Sequence, residues 1–310
     1  MKTEKTCNSC STSDCSAIKK QHGERDEDFV DRQALYSRMC KIKHKILVLS
    51  GKGGVGKSTV AVNLAAALAL AGKNVGLLDV DIHGPSIPKL LNISGATLAG
   101  NENTLYPVKV NFGIGMISVM SIAFLLKEKN DAVIWRGPRK YGIIKQFLKD
   151  VQWDELDYLI VDAPPGTGDE PLAVAQLIDD ADGAVIVTTP QEISVQDVRR
   201  CVVFCRQINL PVLGVVENMS GFTCPKCGEN TGIFGLDGGK IMADEMGVPF
   251  LGSIPIDPAV VISGDSGTPM VSANPNSEAA KAFGRIILTL LEPELNLDES
   301  TNLLSMGGKK

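Results

Sequence analysis

From Lys45 onward the chain alternates between short apolar runs and longer stretches of helical period. Ile46-Leu47-Val48-Leu49, Val75-Gly76-Leu77-Leu78-Asp79, Tyr158-Leu159-Ile160-Val161, Ala184-Val185-Ile186-Val187 and Val212-Leu213-Gly214-Val215-Val216 are apolar at nearly every position. Runs of that length without apolar/polar alternation predict strands buried on both faces. Between them, helical patterns lie at Lys57 to Leu70 and near 170–178, 195–208 and 239–246. Strands and helices in alternation predict an α/β fold: a mostly parallel sheet flanked by helices. A last amphipathic helix, roughly Ser277 to Leu291, is expected to pack on that sheet. Its acidic flanks (Glu292, Glu294, Asp298, Glu299) disfavour a place on anionic lipid.

The first forty residues have a different texture. They are polar, charged and rich in Lys, Asp, Ser and Cys, with no sustained apolar period before a short helix near Asp28 to Met39. Three segments follow: a cysteine-bearing extension over 1–40, a folded domain over 41–292, and a flexible tail over 293–310.

The strand at Ile46 to Leu49 runs into Gly51-Lys52-Gly53-Gly54-Val55-Gly56-Lys57-Ser58-Thr59, which satisfies the full P-loop pattern between a strand and a helix. Glycines let the backbone curl so that its N–H groups face phosphates, and the helix N-terminus adds partial positive charge. ATP with Mg²⁺ is the expected ligand. Lys57 is placed at the β- and γ-phosphates, and Ser58 on the metal. Asp162 closes another apolar run and opens Ala163-Pro164-Pro165-Gly166-Thr167-Gly168-Asp169. There a carboxylate holds Mg²⁺ through water and the following loop can report the γ-phosphate. Asp79-Val80-Asp81 ends the second strand, where carboxylates project into the ligand crevice of an open sheet. Asn218 ends a later strand, and its amide could pair with an adenine edge through donor and acceptor together.

Composition narrows the classes. A net charge of −5 argues against a general nucleic-acid partner. The start of the chain has no apolar signal region, and no run approaches the ~20 apolar residues of a spanning helix. A cytoplasmic protein without membrane or nucleic-acid partners is expected, and eight cysteines there are not four disulfides. Cys224-Pro225-Lys226-Cys227-Gly228 has metal-ligand spacing in a Gly-flanked loop after a strand. It offers half of a Cys₄ set, which a two-fold dimer would complete; zinc and an iron–sulfur cluster both suit such a set. Cys7, Cys10 and Cys15 also cluster, whereas Cys40, Cys201 and Cys205 read as packing residues.

Lys52, directly after the first P-loop glycine, resembles the signature lysine of the deviant P-loop class that includes MinD, ParA and the nitrogenase iron protein. The likeness implies a homodimer in which Lys52 reaches the partner's nucleotide, with Asp81 positioning the attacking water and Asp79 nearer the metal. Asn218 and Pro255, in Ile254-Pro255-Ile256-Asp257, resemble the class's adenine-contacting segments. The set formed by His44 through Ser50 into the P-loop, Asp81-Ile82-His83-Gly84-Pro85-Ser86, Trp135-Arg136-Gly137-Pro138, Asp162 through Asp169, and Glu217-Asn218-Met219-Ser220 followed by Cys224-x-x-Cys227 resembles the Mrp/ApbC family of iron–sulfur cluster carrier ATPases over about 41–290.

That resemblance implies a slow ATPase whose Cys224/Cys227 pair bridges two subunits through a labile [4Fe–4S] cluster that is handed to iron–sulfur apoprotein recipients. A positioning ATPase of ParA/MinD type would not account for the Cys pair. An electron-transfer protein like the nitrogenase iron protein would carry a cysteine in the loop after Asp162. Cys7-x-x-Cys10-x₄-Cys15 resembles the cysteine-rich extension of the eukaryotic cytosolic scaffold branch, with three cysteines where that branch has four. Two readings stand for it: a second cluster, with Cys40 as fourth ligand if the segment folds back, or a thiol-bearing tail without metal.

Overall fold

The computed structural model describes residues 20, 22–82, 84–101, 104–125, 137–178, 180–224 and 226–291. In chain order the elements are α1 (Asp26–Met39), β1 (Ile42–Ser50), α2 (Lys57–Leu70), β2 (Asn74–Asp79), α3 (Ile87–Leu90), the hairpin β3 (Ala99–Asn101) and β4 (Thr104–Tyr106), β5 (Val108–Phe112) and β6 (Gly115–Ser121). A 3-10 turn (Ile122–Leu125) precedes α4 (Gly137–Asp150), β7 (Leu156–Asp162), α5 (Asp169–Leu177), β8 (Gly183–Thr188), α6 (Glu192–Gln207) and β9 (Val212–Thr223). Then come β10 (Asn230–Thr231), α7 (Gly238–Met246), β11 (Phe250–Ile256), α8 (Pro258–Ser266) and α9 (Met270–Ala273), and last α10 over residues 278–291.

One sheet organises the chain. Its strand order is β11-β9-β8-β1-β7-β2-β6-β5, parallel from β11 through β6, with β5 antiparallel at one edge and β10 paired with the far end of β9. Alternation of side chains along each strand divides the core into two layers. Leu47 and Leu49 of β1 pack with α1, α4, α5, α6 and α7, while Ile46 and Val48 pack with α2, α9 and α10. Because both faces are covered, β8 is buried at every position, which is why these strands read as unbroken apolar runs.

The topology also places the site. From β1 the chain crosses past β7 to β2, and from β7 it crosses past β1 to β8. β1 and β7 therefore flank the point where the winding reverses, the place where an open α/β sheet leaves a crevice at the strand C-termini. Among the described residues no helix is long and apolar enough to cross a membrane.

The helix expected near Asp28 to Met39 is α1, and it lies along α4. Leu35 and Met39 are buried in the same core as Trp153 and Phe147. Asp31 receives 2.8 Å bonds from both Lys145 and Lys149, and Arg38 bonds the Lys149 carbonyl and Gln152. The half-exposed ion pairs add little; the buried Leu35 and Met39 supply most of the adhesion. Residues 1–19 and the tail from 292 lie outside the described residues, and with them Cys7, Cys10, Cys15 and Trp135-Arg136.

If α1 folds with the domain, Met39→Ala should lower the stability of the whole protein by about 2–5 kcal/mol. Denaturant unfolding followed by tryptophan fluorescence checks this, since Trp153 shares that core. An unchanged midpoint would mean that α1 is an appendage.

Candidate functional site

The P-loop curls over the C-terminal end of β1 as its glycines require. Gly56 caps α2 with φ +83°, and a Cβ on it would lie 2.3 Å from the Asn218 side-chain nitrogen. At Gly51 a Cβ would strike the Asp197 backbone at 2.4 Å. Neither position has room for a side chain. Val55 is buried; Lys52, Ser58 and Thr59 are half-buried, and Gly53 and Gly54 are exposed at the mouth. Ser50 Oγ donates to the Lys52 carbonyl, and Gly166 N–H of the loop after Asp162 donates to the Ser50 carbonyl at 2.8 Å. P-loop and switch-like loop are thus bonded to the same residue of β1.

Below the loop lies a compact charge cluster. Lys57, buried, bonds Asp162 at 2.6 Å and lies 3.6 Å from Asp81. Asp162 pairs in register with Val48 of β1 and Asp79 of β2. Burial pushes the Asp162 carboxyl above the ordinary carboxylate range, opposed by Lys57 and Ser58. Asp79 is pushed up to about 8, first by burial and then by the Asp162 charge. Its oxygens are engaged by Ser121 Oγ at 2.9 Å and by Asp81 N–H at 3.2 Å. Asp162 Oδ2 is the buried side-chain oxygen without a protein partner among the described residues. An orphaned carboxylate oxygen next to the Ser58 hydroxyl is an oxygen-only donor set of the kind a hard divalent cation takes. Of the two aspartates at the strand ends, Asp162 is therefore the one with an open oxygen, while Asp79 braces the turn that carries Asp81.

On the other side of the P-loop, Asn218 donates its amide to the Val55 carbonyl at 2.9 Å; it was expected to end its strand, but β9 runs on to Thr223. Ile254, just before Pro255, pairs with Asn218 across β9 and β11. The two segments expected around adenine are thus neighbours beside the loop, with the Asn218 amide turned to the P-loop backbone.

The Cys pair lies in the turn just beyond that strand. β9 continues past Asn218 through Met219 and Gly221, both at positive φ, into a short hairpin with β10. At its tip Cys224 N–H donates to the Glu229 carbonyl and Gly228 N–H to the Cys224 carbonyl, each at 2.9 Å. The backbone N–H of Cys227, then that of Lys226 and the Cys227 thiol, hold the Cys224 thiol below its ordinary range. N–H groups converging on a sulfur stabilise the thiolate that metals bind. Cys227 is exposed and Cys224 half-exposed, whereas Cys201 and Cys205 are buried in α6. Among the described residues no three His, Cys, Asp or Glu side chains form a metal group, so one chain presents two thiols here.

The charge cluster and the Cys turn were both expected from sequence. Ser121 as the brace of Asp79 was not, nor the clamp formed by Glu217, whose buried carboxylate bonds Ser220, Asp237 and Gly239. A charged residue directly after Val212–Val216 carried the same signal as Asp162 after Tyr158–Val161.

A profile of the family described as ParA, NUBPL iron-transfer P-loop NTPase, matches residues 41–291. The iron-sulfur cluster carrier protein of Methanocaldococcus jannaschii is 48% identical over 287 residues, 92% of this chain and 95% of the relative. That of Methanococcus maripaludis is 47% identical, covering 92% and 96%. A solved nucleotide-binding protein of Archaeoglobus fulgidus, in complex with ADP and with cobalt, is 43% identical with a TM-score of 0.67, covering 76% of this chain and 90% of its own. The cell division ATPase MinD of Pyrococcus furiosus, at 24% identity and a TM-score of 0.58 over 80% and 98%, shares the fold.

The Asp79 carboxyl yields a prediction with a definite sign. Its ordinary value is 3.8 and its folded value about 8, so the unfolded chain ionises first and the folded state resists. The penalty grows with pH across that window and levels off above it. Asp79→Asn should therefore stabilise the nucleotide-free protein by an amount that increases from about pH 4 to about pH 8. Paired thermal melts across that range check it; a gain that shrinks with pH contradicts it.

Proposed function

The chain belongs to the NUBPL iron-transfer P-loop NTPase family, and from that premise we propose that it is an ATP-dependent carrier that binds a labile [4Fe–4S] cluster and hands it to apoproteins. The observation that carries this reading is the Cys224/Cys227 turn: two accessible thiols, one already receiving backbone N–H groups, directly after the strand that also touches the P-loop. A [4Fe–4S] cluster takes four thiolates, so two chains facing each other would hold one cluster between them.

The nucleotide half follows from the chain's own groups. Gly51 to Thr59 wrap the phosphates of ATP, and Lys57 leaves its carboxylate partners to meet their charge. Ser58 and Asp162 would hold Mg²⁺, which would supply charge neutralisation at the phosphates. Asp81, released from Lys57, orients water for attack; the γ-phosphoryl bond breaks to give ADP and phosphate. Asn218 and Pro255 receive the adenine. Lys52 reaches the nucleotide of the second chain, so hydrolysis is tied to dimer closure. Turnover is slow because it gates a binding cycle. The chain acts in the cytoplasm on iron–sulfur apoprotein recipients, with 41–292 as the ATPase domain; for Cys7, Cys10 and Cys15 a second cluster and a metal-free tail both stand.

The test uses the full chain with Cys7, Cys10 and Cys15 replaced by Ser. Truncation at Lys41 would also remove α1 and expose its core contacts. Anaerobic reconstitution with ferrous iron and sulfide should load this chain, and Cys224→Ser should abolish uptake. Tight zinc in its place, or iron that survives loss of both Cys224 and Cys227, would sink the proposal. For the nucleotide, Asp81→Ala should leave ATP binding nearly intact and cut hydrolysis at least about 100-fold, the scale of a lost positioning group. Lys52→Gln should reduce both hydrolysis and ATP-dependent dimerisation. Parallel loss of binding and turnover in Asp81→Ala would make it a metal ligand.

A further inference from the structure

Segment 220–237, which carries both thiols, leaves the body of the protein and returns to it at one place. Its last pairing with β11 is Phe222 with Ile256; beyond it the chain runs through the β9–β10 hairpin and the Cys turn and comes back along Gly232–Leu236 to Asp237, the cap of α7. Both ends meet the Glu217 side chain. Glu217 is fully buried. Its Oε1 accepts from Ser220 Oγ and from Asp237 N–H at 3.1 Å, and its Oε2 accepts from Gly239 N–H in the first turn of α7. Among the described residues no cation pairs with it; a buried carboxylate is then costly unless fixed donors replace its water, and here a helix N-terminus and a hydroxyl do so. The fit is close: a Cβ on Gly239 would lie 3.0 Å from Glu217 Oε2 and 2.8 Å from the Thr188 methyl.

We propose that Glu217 is the positioning residue of the cysteine turn, clamping the entry and the exit of segment 220–237 so that Cys224 and Cys227 are presented as a rigid pair. This rests on the carrier reading and deepens it. The clamp shortens a flexible loop into a closed one whose ends are fixed, which lowers the ordering cost of bringing thiolates to a shared cluster. It also sits one peptide from the nucleotide site. Glu217 and Asn218 are consecutive and face opposite sides of β9, as strand neighbours must, one holding the Cys segment and the other the Val55 carbonyl of the P-loop.

The experiment compares the wild-type chain with Glu217→Gln, Ser220→Ala and, as a control for general destabilisation, Val202→Ala in the α6 core. Glutamine keeps the shape but sets an N–H₂ against the Gly239 or the Ser220 and Asp237 donors. Hydrogen exchange of the metal-free protein should show the Asp237 and Gly239 amides exchanging about tenfold faster in Glu217→Gln, with α2 unchanged. After reconstitution with ferrous iron and sulfide, loss of iron to a ferrous chelator should be about tenfold faster in Glu217→Gln and intermediate in Ser220→Ala. Affinity for a fluorescent ADP analogue should stay within about twofold. Val202→Ala should be destabilised without faster iron loss. If Glu217→Gln fails to fold, Ser220→Ala decides by the same two readouts. Wild-type exchange at Asp237 and Gly239, or equal acceleration in Val202→Ala, would overturn the role of Glu217. A wild-type chain that takes up no cluster would defeat the carrier reading instead, and the exchange measurement would still decide whether Glu217 clamps the segment.

Discussion

Three carboxylates and one ammonium are packed beneath a glycine loop where β1, β7 and β2 end, and the rest of the molecule is arranged around that imbalance. Asp79 and Asp162 are fully buried, and Asp81 and Lys57 nearly so. Lys57 can serve two of the three, at 2.6 and 3.6 Å; Asp79 depends on a hydroxyl and a backbone N–H. A buried pair that loses one partner costs about 3–5 kcal/mol, so Lys57 leaves its carboxylates only when something else neutralises them. On the proposed reading, a phosphate arriving with a divalent cation would do both things at once: receive the ammonium and bring positive charge to the open Asp162 oxygen. Ligand and cation are thereby linked by electrostatics alone, before any loop moves.

The same constraint explains why a nucleotide event could be felt at the thiols. Two carbonyls of the P-loop accept side-chain donors: Lys52 from the Ser50 hydroxyl and Val55 from the Asn218 amide. β9 carries Asn218 and Glu217 side by side and then the Cys hairpin. Gly166, after Asp162, bonds the Ser50 carbonyl as well. The P-loop strand end and the P-loop backbone thus have two bonded neighbours, the loop after β7 and β9 at Asn218. No long chain of contacts is needed, because the Cys turn begins six residues beyond Asn218, directly after the same strand.

Much of this was legible in the residues, and the parts that were not have physical reasons. β1, β2, β7, β8 and β9 announced themselves because burial on both faces leaves uninterrupted apolar runs. β5 and β6 did not: β5 is an edge strand, half-exposed in alternation, and Gly, Met and Ser dilute β6. α4 was not among the helices expected, although Ile144, Phe147 and Leu148 lie buried at helical spacing along it. α1 read as part of an extension because only Leu35 and Met39 of it are buried. At the site, Lys57, Asp81 and Asp162 were found by motif and position, and the structure brings them together. The Ser121 brace and the Glu217 clamp depend on contacts between residues far apart in sequence or across a loop, which spacing alone does not encode.

The claim at the centre of this account is that one cluster is shared by two chains through Cys224 and Cys227. Native mass spectrometry of the anaerobically loaded chain, with Cys7, Cys10 and Cys15 replaced by Ser, measures chains and metal in the same ion. The account predicts a species of two chains with one [4Fe–4S] unit, which falls apart to metal-free single chains when Cys224 is replaced. A single chain that keeps a whole cluster, or a pair of chains that each keep one, would contradict it.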